Sequence, residues 1–340
     1  MLTKTEAQIL KSIIIASDND PLKPEFPPEK PTFPATPTYK IKVPGFSNVW
    51  IKDESHNPTG THKDRMAWEI VVTYRDFLLA KKMGRITTLP QMSLITNGSA
   101  GFAIQKRLQE YHLPPLKCLV DASLNSEVKD ILRKIGCEIY ETDLSKKPFS
   151  WQEILKLTHN SEGFDITSSE ALDPTTRFYD WLSYEIINSS PDYCFIPFGT
   201  GNLYENILNV TKNELLGNGH DPRFKGKMAT LRRCNFIGAS VNNPRSKAEK
   251  LYSPHLPFVH FGEQWIRFYR YAAYCGEKSD VQLLREEFLD QAITLGNSLG
   301  LNFEPSGLAG LGMLLQMKES IPKKAKILIV NTGKTKYGRV

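Results

Sequence analysis

Short apolar runs alternate with segments of helical periodicity along most of the chain. The apolar runs are rich in Val, Ile, Phe and Cys and do not alternate with polar residues, which is typical of strands buried on both faces of a parallel sheet. They predict strands at residues 49–52, 93–96, 117–121, 138–141, 193–197, 235–239 and 326–331. Helical segments lie at 62–82, 100–111, 126–135, 151–160, 176–188, 203–216, 280–299 and 306–319. Strands that alternate with crossover helices predict an α/β fold with an open, mostly parallel sheet.

A proline-rich segment, residues 21–44, precedes the first predicted strand. Proline lacks an amide donor and fixes φ, so this segment cannot form a helix or a central strand. Phe26, Phe33 and Tyr39 supply apolar anchors. We therefore expect an arm that packs on a folded surface rather than a flexible linker.

Composition narrows the class of protein. The 340 residues are enough for about two domains. The net charge of +6 is spread along the chain, without the runs of like charge that mark a nucleic-acid-binding tail. The longest apolar run is far shorter than the roughly 20 residues of a membrane span, and residues 1–20 resemble a helix rather than a signal peptide. We expect a cytoplasmic protein that binds neither nucleic acid nor membrane.

The cysteines predict no disulfide framework and no metal site. Cys118, Cys137, Cys194, Cys234 and Cys275 are widely spaced, odd in number and form no Cys-x-x-Cys pair. Buried, reduced thiols are the expectation.

Ligands of open α/β sheets bind beyond the carboxyl ends of the strands, so the residues that follow each predicted strand are candidates for a site. After the first strand, a turn-rich stretch (57–60) leads to Thr61, at the expected N-cap of a helix, and to Lys63 in its first turn. The helix dipole favours anions there, so it disfavours the charged form of this lysine. That property suits a lysine that forms a Schiff base. The alternative is a solvated surface lysine.

Three further strand ends carry candidate chemistry. The segment Thr96-Asn97-Gly98-Ser99 runs from a strand into a helix, and its backbone amides suit a carboxylate. The segment Gly199-Thr200-Gly201-Asn202 has the form of a phosphate-binding loop at a helix N-terminus. It is neither a dinucleotide fingerprint, because Tyr204 stands where the third glycine would be, nor a Walker loop. The last strand ends at Asn331-Thr332-Gly333, which could also be a simple terminal turn.

Taken in order, these segments resemble the motifs of fold-type-II pyridoxal-phosphate enzymes, the tryptophan synthase β superfamily, which includes threonine synthase and cysteine synthase. The resemblance is carried by NPTGTHKDR, TNGSAG, GTGN, NFEPSGLAGLGML and VNTG, and it spans residues 34–340 except near 253–275. It implies two open, twisted, mostly parallel sheets flanked by helices, with pyridoxal 5'-phosphate in the cleft between two domains. The smaller domain would comprise residues 45–170, and the larger one residues 1–44 and 171–340.

The resemblance also implies roles for single residues. Lys63 would hold the cofactor as a Schiff base and act as acid and base. The amides of Gly199, Thr200, Gly201 and Asn202 would hold the cofactor phosphate. Thr332 would face the pyridine nitrogen, and Glu304 would support the site from behind. Residues at the substrate carboxylate and cofactor ring would be Thr96, Asn97, Gly98 and Ser99.

Two departures from the family pattern leave the reaction open. Ser99 stands where related enzymes carry an asparagine that binds the cofactor phenol oxygen, and Asn97 lies two residues earlier. Residues 253–276 match no family member; they form either a packed aromatic helix or a substrate lid.

The resemblance implies elimination or replacement at Cβ or Cγ of a small amino acid, similar to threonine synthase or cysteine synthase. One alternative is a serine or threonine dehydratase-like lyase. Another is a homologue that binds the cofactor without turnover. A homodimer is also implied.

Overall fold

The computed structural model describes residues 35–146, 149–167, 178–217, 220–252 and 279–338. The expectations for most of the proline-rich segment, for residues 253–276 and for Cys275 lie outside these residues. The described strands are β1 (Thr38–Ile41), β2 (Val49–Asp53), β3 (Met92–Ile95), β4 (Lys117–Asp121), β5 (Glu138–Thr142), β6 (Phe164–Asp165), β7 (Tyr193–Pro197), β8 (Asn235–Ser240), β9 (Ser279–Leu283) and β10 (Ile327–Asn331).

The described α-helices are α1 (Lys63–Lys82), α2 (Ser99–Glu110), α3 (Ser126–Lys134), α4 (Trp151–Leu157), α5 (Asp180–Asn188), α6 (Asn202–Leu216), α7 (Met228–Leu231), α8 (Glu286–Ser298) and α9 (Ala309–Gln316). Short 3₁₀ helices lie at Glu54–His56, Glu249–Leu251, Pro305–Leu308 and Lys318–Ser320.

The strands form two sheets. The larger sheet has the order β1-β2-β10-β7-β8-β9, and the smaller one has the order β5-β4-β3-β6. All described pairings are parallel except that of β1 with β2. The predicted α/β class, with two mostly parallel sheets flanked by helices, is confirmed. The division into domains stays a prediction, and β2, although it falls within residues 45–170, pairs with β10 in the larger sheet.

The larger sheet is buried on both faces. In β7, Cys194 and Ile196 belong to an apolar cluster that also contains Leu94 of the smaller sheet. Phe195, between them, belongs to a second cluster on the opposite face, with Ile329 of β10. This explains why the sequence of β7 is continuously apolar rather than alternating.

The main difference from the sequence prediction lies at residues 280–299, where one helix was expected. Residues 279–283 instead form β9, paired parallel with β8, and α8 begins only at Glu286. The sequence Asp280-Val281-Gln282-Leu283 alternates polar and apolar residues, so it suits an edge strand as well as a helical turn. The open edge of β8 supplies backbone hydrogen bonds that local sequence cannot reveal.

A buried ion network joins β2, α1 and α5. The guanidinium group of Arg65 donates to Glu54, with Nε 3.1 Å from Oε2, and to Glu185, with Nη1 2.7 Å from Oε1. Lys52 donates to Glu185 as well and to the carbonyl oxygen of Thr36, 2.6 Å away. Lys52, Glu54 and Arg65 are at most 1% exposed. Although burial opposes ionisation, Arg65, followed by Lys52, holds the pKa of Glu54 below its ordinary value.

Arg65→Ala is expected to lower the free energy of unfolding by about 3–5 kcal/mol, because it leaves the buried carboxylate of Glu54 without its main partner. The measurement is urea unfolding at pH 7. Lys247→Ala serves as the control, because it breaks an ion pair with Asp290 whose side chains are about half exposed, and it should cost less than about 1 kcal/mol. Equal losses from the two variants would contradict the assignment.

The same network predicts the sign of a pH effect. A carboxyl group whose pKa is lowered in the folded state stabilises that state above the pKa of the unfolded chain, and this contribution is lost as the pH falls through the folded pKa. The difference between the wild-type protein and Arg65→Ala should therefore shrink on acidification.

Candidate active site

Lys63 is the first residue of α1 and follows the loop of residues 57–62. Asp64, in the same helix, holds this loop through its side chain. The carboxylate of Asp64 accepts hydrogen bonds from Thr59, from the backbone N (2.9 Å) and from Oγ1 (2.7 Å). Burial raises the pKa of Asp64, and the hydrogen bonds from Thr59 act in the opposite direction. His62, not Thr61, is the N-cap residue, although Thr61 Oγ1 accepts a hydrogen bond from the backbone N of Lys63 (3.2 Å).

The amine of Lys63 contacts a buried phenol. Lys63 Nζ donates to the hydroxyl oxygen of Tyr179 at 2.8 Å. Tyr179 is 1% exposed and directly precedes α5. Tyr179 lies more than a hundred residues from Lys63 and in no recognisable motif, so the sequence alone does not indicate it.

His62 packs beside this pair as a neutral ring. Its centroid lies 5.3 Å from that of Tyr179. Burial, together with the charge of Lys63, lowers the pKa of His62 well below its ordinary value. The backbone N of His62 donates to the carbonyl oxygen of Thr332 (3.2 Å), which ties the start of α1 to the end of β10.

The loop before α2 has a folded-back backbone. Thr96 Oγ1 accepts hydrogen bonds from the backbone N of Gly98 (3.1 Å) and of Gly101 (3.3 Å). Gly98 has φ +117°, and an added Cβ would lie 2.7 Å from the hydroxyl of Tyr337. Gly98 therefore shapes the loop from behind, whereas Thr96, Asn97 and Ser99 line the cavity.

The loop before α6 presents its backbone to the same cavity. Gly199, Thr200, Gly201 and Asn202 all line it. Gly201 has φ +86°, a left-handed conformation that glycine adopts without strain. The backbone N–H groups of Gly199, Thr200 and Gly201 make no hydrogen bond to any residue that the structure describes.

The strand ends of both sheets thus converge on one cavity of about 180 Å³. Lys63 and Thr332 line it together with the two loops, so the structure brings the predicted site residues together, apart from Gly98. Glu304 lines the cavity directly rather than supporting it from behind. Lys250 lines it as well and was missed, because it lies in the irregular segment after β8, where the sequence shows no motif.

Two further properties of the described residues concern metal binding and membrane spanning. They contain no group of three or more His, Cys, Asp or Glu side chains placed to hold a metal ion. In the same part of the chain, no helix has the length and apolar character that crossing a membrane requires.

A family model for pyridoxal-phosphate dependent enzymes matches residues 32–333. The chain belongs to this family and is a pyridoxal-phosphate-dependent enzyme. The family and the cofactor expected from the sequence are confirmed. No curated protein sequence matches the chain significantly.

Solved structures share the fold at low identity. O-ureido-L-serine synthase superposes with a TM-score of 0.62 and 16% identity, covering 88% of this chain and 89% of that one. The O-acetylserine dependent cystathionine β-synthase from Helicobacter pylori superposes with a TM-score of 0.61 and 16% identity, covering 89% of this chain and 93% of that one. A pyridoxal 5'-phosphate-dependent aspartate racemase superposes with a TM-score of 0.62 and 12% identity, covering 95% of this chain and 94% of that one. The fold therefore accommodates several reactions.

The cavity fits pyridoxal phosphate chemically. The cofactor carries an aldehyde, which an amine can bind, and a phosphate, which backbone amides at a helix N-terminus can bind. Lys63 supplies an amine at one wall, and the loop before α6 supplies N–H groups without described acceptors at another.

Gly201→Val is expected to weaken binding of pyridoxal phosphate by at least about tenfold, because valine strains the left-handed backbone and crowds the phosphate. The measurement is absorbance titration of the apoprotein with the cofactor. Gly300→Val is the matched control, because Gly300 also has a positive φ (+67°) at the end of a helix but has open space around it. Unchanged affinity in Gly201→Val, with the fold intact, would exclude this loop as the phosphate site.

Proposed function

We propose that this enzyme eliminates or replaces a substituent at Cβ or Cγ of a small amino acid, in the manner of cysteine synthase or threonine synthase. The carrying observation is that one cavity brings together the amine of Lys63, the glycine-rich loop before α6 and the neutral hydroxyl of Thr332. Assembly as a homodimer belongs to the same proposal, on the basis of the family resemblance alone.

In this proposal the residues divide the work as follows. Backbone N–H groups at residues 199–202 hold the phosphate of the cofactor, and Lys63 holds its aldehyde carbon. The loop formed by Thr96, Asn97 and Ser99 holds the carboxylate of the substrate and thereby orients Cα toward Lys63. Pyridoxal phosphate, when bound, supplies an electron sink that makes the proton on Cα acidic.

Lys63 is the group that takes the proton from Cα. Its described polar side-chain contact is the hydroxyl of Tyr179, and His62 beside it is neutral because burial lowers its pKa. No carboxylate competes for the amine at this point among the described hydrogen bonds. Tyr179 keeps Nζ in a fixed position between proton transfers.

Thr332 bears on the type of reaction. A hydroxyl can donate a hydrogen bond to the pyridine nitrogen but, unlike a carboxylate, cannot stabilise a full positive charge there. Such a site supports a weaker electron sink, which favours prompt loss of a leaving group over a long-lived carbanion. Among the reactions that this fold accommodates, this supports elimination or replacement rather than racemisation.

The decisive assay supplies the purified enzyme and pyridoxal phosphate with O-acetylserine, O-phosphohomoserine, serine and threonine in turn. Replacement is detected with sulfide as the acceptor or, for O-phosphohomoserine, as formation of threonine. Elimination is detected as release of a 2-oxo acid. No turnover of any of the four, with the cofactor bound, would contradict the proposal and favour a homologue without turnover.

Lys63→Ala is expected to abolish covalent attachment of the cofactor and to reduce activity by about 10³-fold or more, since it removes the reacting amine. The measurement is borohydride reduction followed by peptide mapping. The cavity contains a second amine, Lys250, but that amine is paired with Glu304. A reduced cofactor found on Lys250 in the wild-type protein, or an adduct retained by Lys63→Ala, would refute the assignment.

Thr332→Asp is expected to change the absorbance spectrum of the bound cofactor and to lower turnover more than cofactor affinity, because a carboxylate replaces a neutral group at the ring. Thr332→Ser, which keeps the hydroxyl, should retain both properties. If Thr332→Asp leaves spectrum and turnover unaltered, the hydroxyl does not face the ring.

A further inference from the structure

An ion pair in the cavity wall is not explained by cofactor binding. Lys250 Nζ lies 2.5 Å from Oε2 of Glu304 and 3.3 Å from Oγ of Ser99. Ser99 Oγ is in turn 2.6 Å from Oγ1 of Thr335. Lys250 follows β8 and Glu304 precedes β10, and both of these strands belong to the larger sheet. Ser99 follows β3, which belongs to the smaller sheet. The ammonium group of Lys250 therefore connects a segment of the larger sheet with a segment of the smaller sheet.

Lys250 is held in place by its backbone. It lies in the 3₁₀ helix Glu249–Leu251, where the backbone N of Leu251 donates to the carbonyl oxygen of Ala248 (2.9 Å). Its own carbonyl oxygen would be 3.2 Å from a Cβ added at Gly199. The segment thus packs against the glycine-rich loop, so the position of Nζ is coupled to the loop that we assign to the cofactor phosphate.

Glu304 is held equally firmly. Its backbone N donates to the carbonyl oxygen of Gly333 (3.2 Å), and its own carbonyl oxygen accepts from the backbone N of Gly307 (2.7 Å). Both partners of the ion pair are about one quarter exposed or less, at 26% for Lys250 and 19% for Glu304. A pair so placed on the cavity wall remains accessible to a small ligand.

The charged side chains in the cavity indicate what kind of ligand Lys250 can bind. Of the described side chains that line it, three can carry a full charge at neutral pH: Lys63, Lys250 and Glu304. Lys63 is committed to the reacting centre, so Lys250 is the cation available for an anionic group of the substrate. An ammonium group has three N–H donors, and Glu304 and Ser99 account for two of them.

We propose that Lys250 is a substrate-binding residue, whose ammonium group contacts the α-carboxylate of the amino-acid substrate beside Ser99. This inference rests on the proposed function, because it takes an amino acid as the substrate. Glu304 neutralises Lys250 when no substrate is bound and opposes the approach of a further carboxylate. Lys250 and Glu304 together adjust the affinity for the carboxylate that the loop before α2 holds, while Lys63 acts on Cα.

The test measures binding without turnover. Holoenzyme is titrated with L-alanine, which has no leaving group, and with L-alaninamide, which has the same amine and no carboxylate. The cofactor absorbance reports both dissociation constants. Lys250→Gln should weaken the binding of L-alanine by about tenfold or more, equivalent to about 1.4 kcal/mol. The dissociation constant of L-alaninamide should stay within about twofold of the wild-type value. Lys250→Arg, which keeps the charge, should bind L-alanine more tightly than Lys250→Gln.

Three further variants isolate the effect of the charge of Lys250. Lys247→Gln removes an exposed lysine three residues away and should change neither constant. Glu304→Gln removes the opposing carboxylate and should bind L-alanine at least as tightly as the wild-type enzyme. The double variant Lys250→Gln, Glu304→Gln should bind it about tenfold more weakly than Glu304→Gln alone, which shows that the loss comes from the missing cation rather than from an unpaired carboxylate.

The outcomes separate this inference from the proposed function. An unchanged constant for L-alanine in Lys250→Gln overturns the inference, and so does a double variant that binds as tightly as Glu304→Gln. Loss of cofactor loading in Lys250→Gln but not in Lys250→Arg also overturns it, because the cation would then serve the cofactor. Failure of the wild-type protein to bind the cofactor at Lys63 would instead refute the proposed function.

Discussion

The contact on which the rest of the site depends is that of Arg65 with Glu54 and Glu185. Burying these charges is costly unless each finds its partner, so the three elements that carry them have one satisfactory arrangement. Arg65 lies two residues after Lys63, and Glu185 lies on α5, the helix that begins immediately after Tyr179. The same network that joins α1 to α5 therefore also sets the distance between the amine and the phenol that contacts it.

Parallel strands supply the second constraint. Because all strands of a parallel sheet end at the same edge, the loops after β2, β7 and β10 meet there. The hydrogen bond from His62 to Thr332 then ties two of these loops together. The smaller sheet brings the loop after β3 to the same place. The cavity is therefore a product of topology, and its side chains need only be small enough, or polar enough, to leave the space open.

The sequence predicted those parts of the fold and site that depend on local pattern. Strands β4 and β7 were located to the residue, because the apolar runs that they contain, three residues in β4 and five in β7, suit strands covered on both faces. Lys63, the two glycine-containing loops and Thr332 were predicted as site residues because each follows a strand in a recognisable motif. Tyr179 and Lys250 were missed, since each reaches the cavity through contacts that are distant in sequence: Tyr179 contacts Lys63, and Lys250 contacts Glu304 and Ser99. For a similar reason β9 was expected to be helical: its own residues suit a strand as well as a helical turn, and the strand edge of β8 that decides between them lies elsewhere in the sequence.

The apolar cluster that contains Leu94 of the smaller sheet also contains Leu328 and Val330 of the larger one. If either sheet unfolds, the apolar face of the other sheet that packs against it becomes exposed to water. The stabilities of the two sheets are thus coupled, because both contribute side chains to the same core. Relative movement of the sheets during a catalytic cycle is limited to what a common interior can absorb by sliding of packed side chains, without admitting water between them.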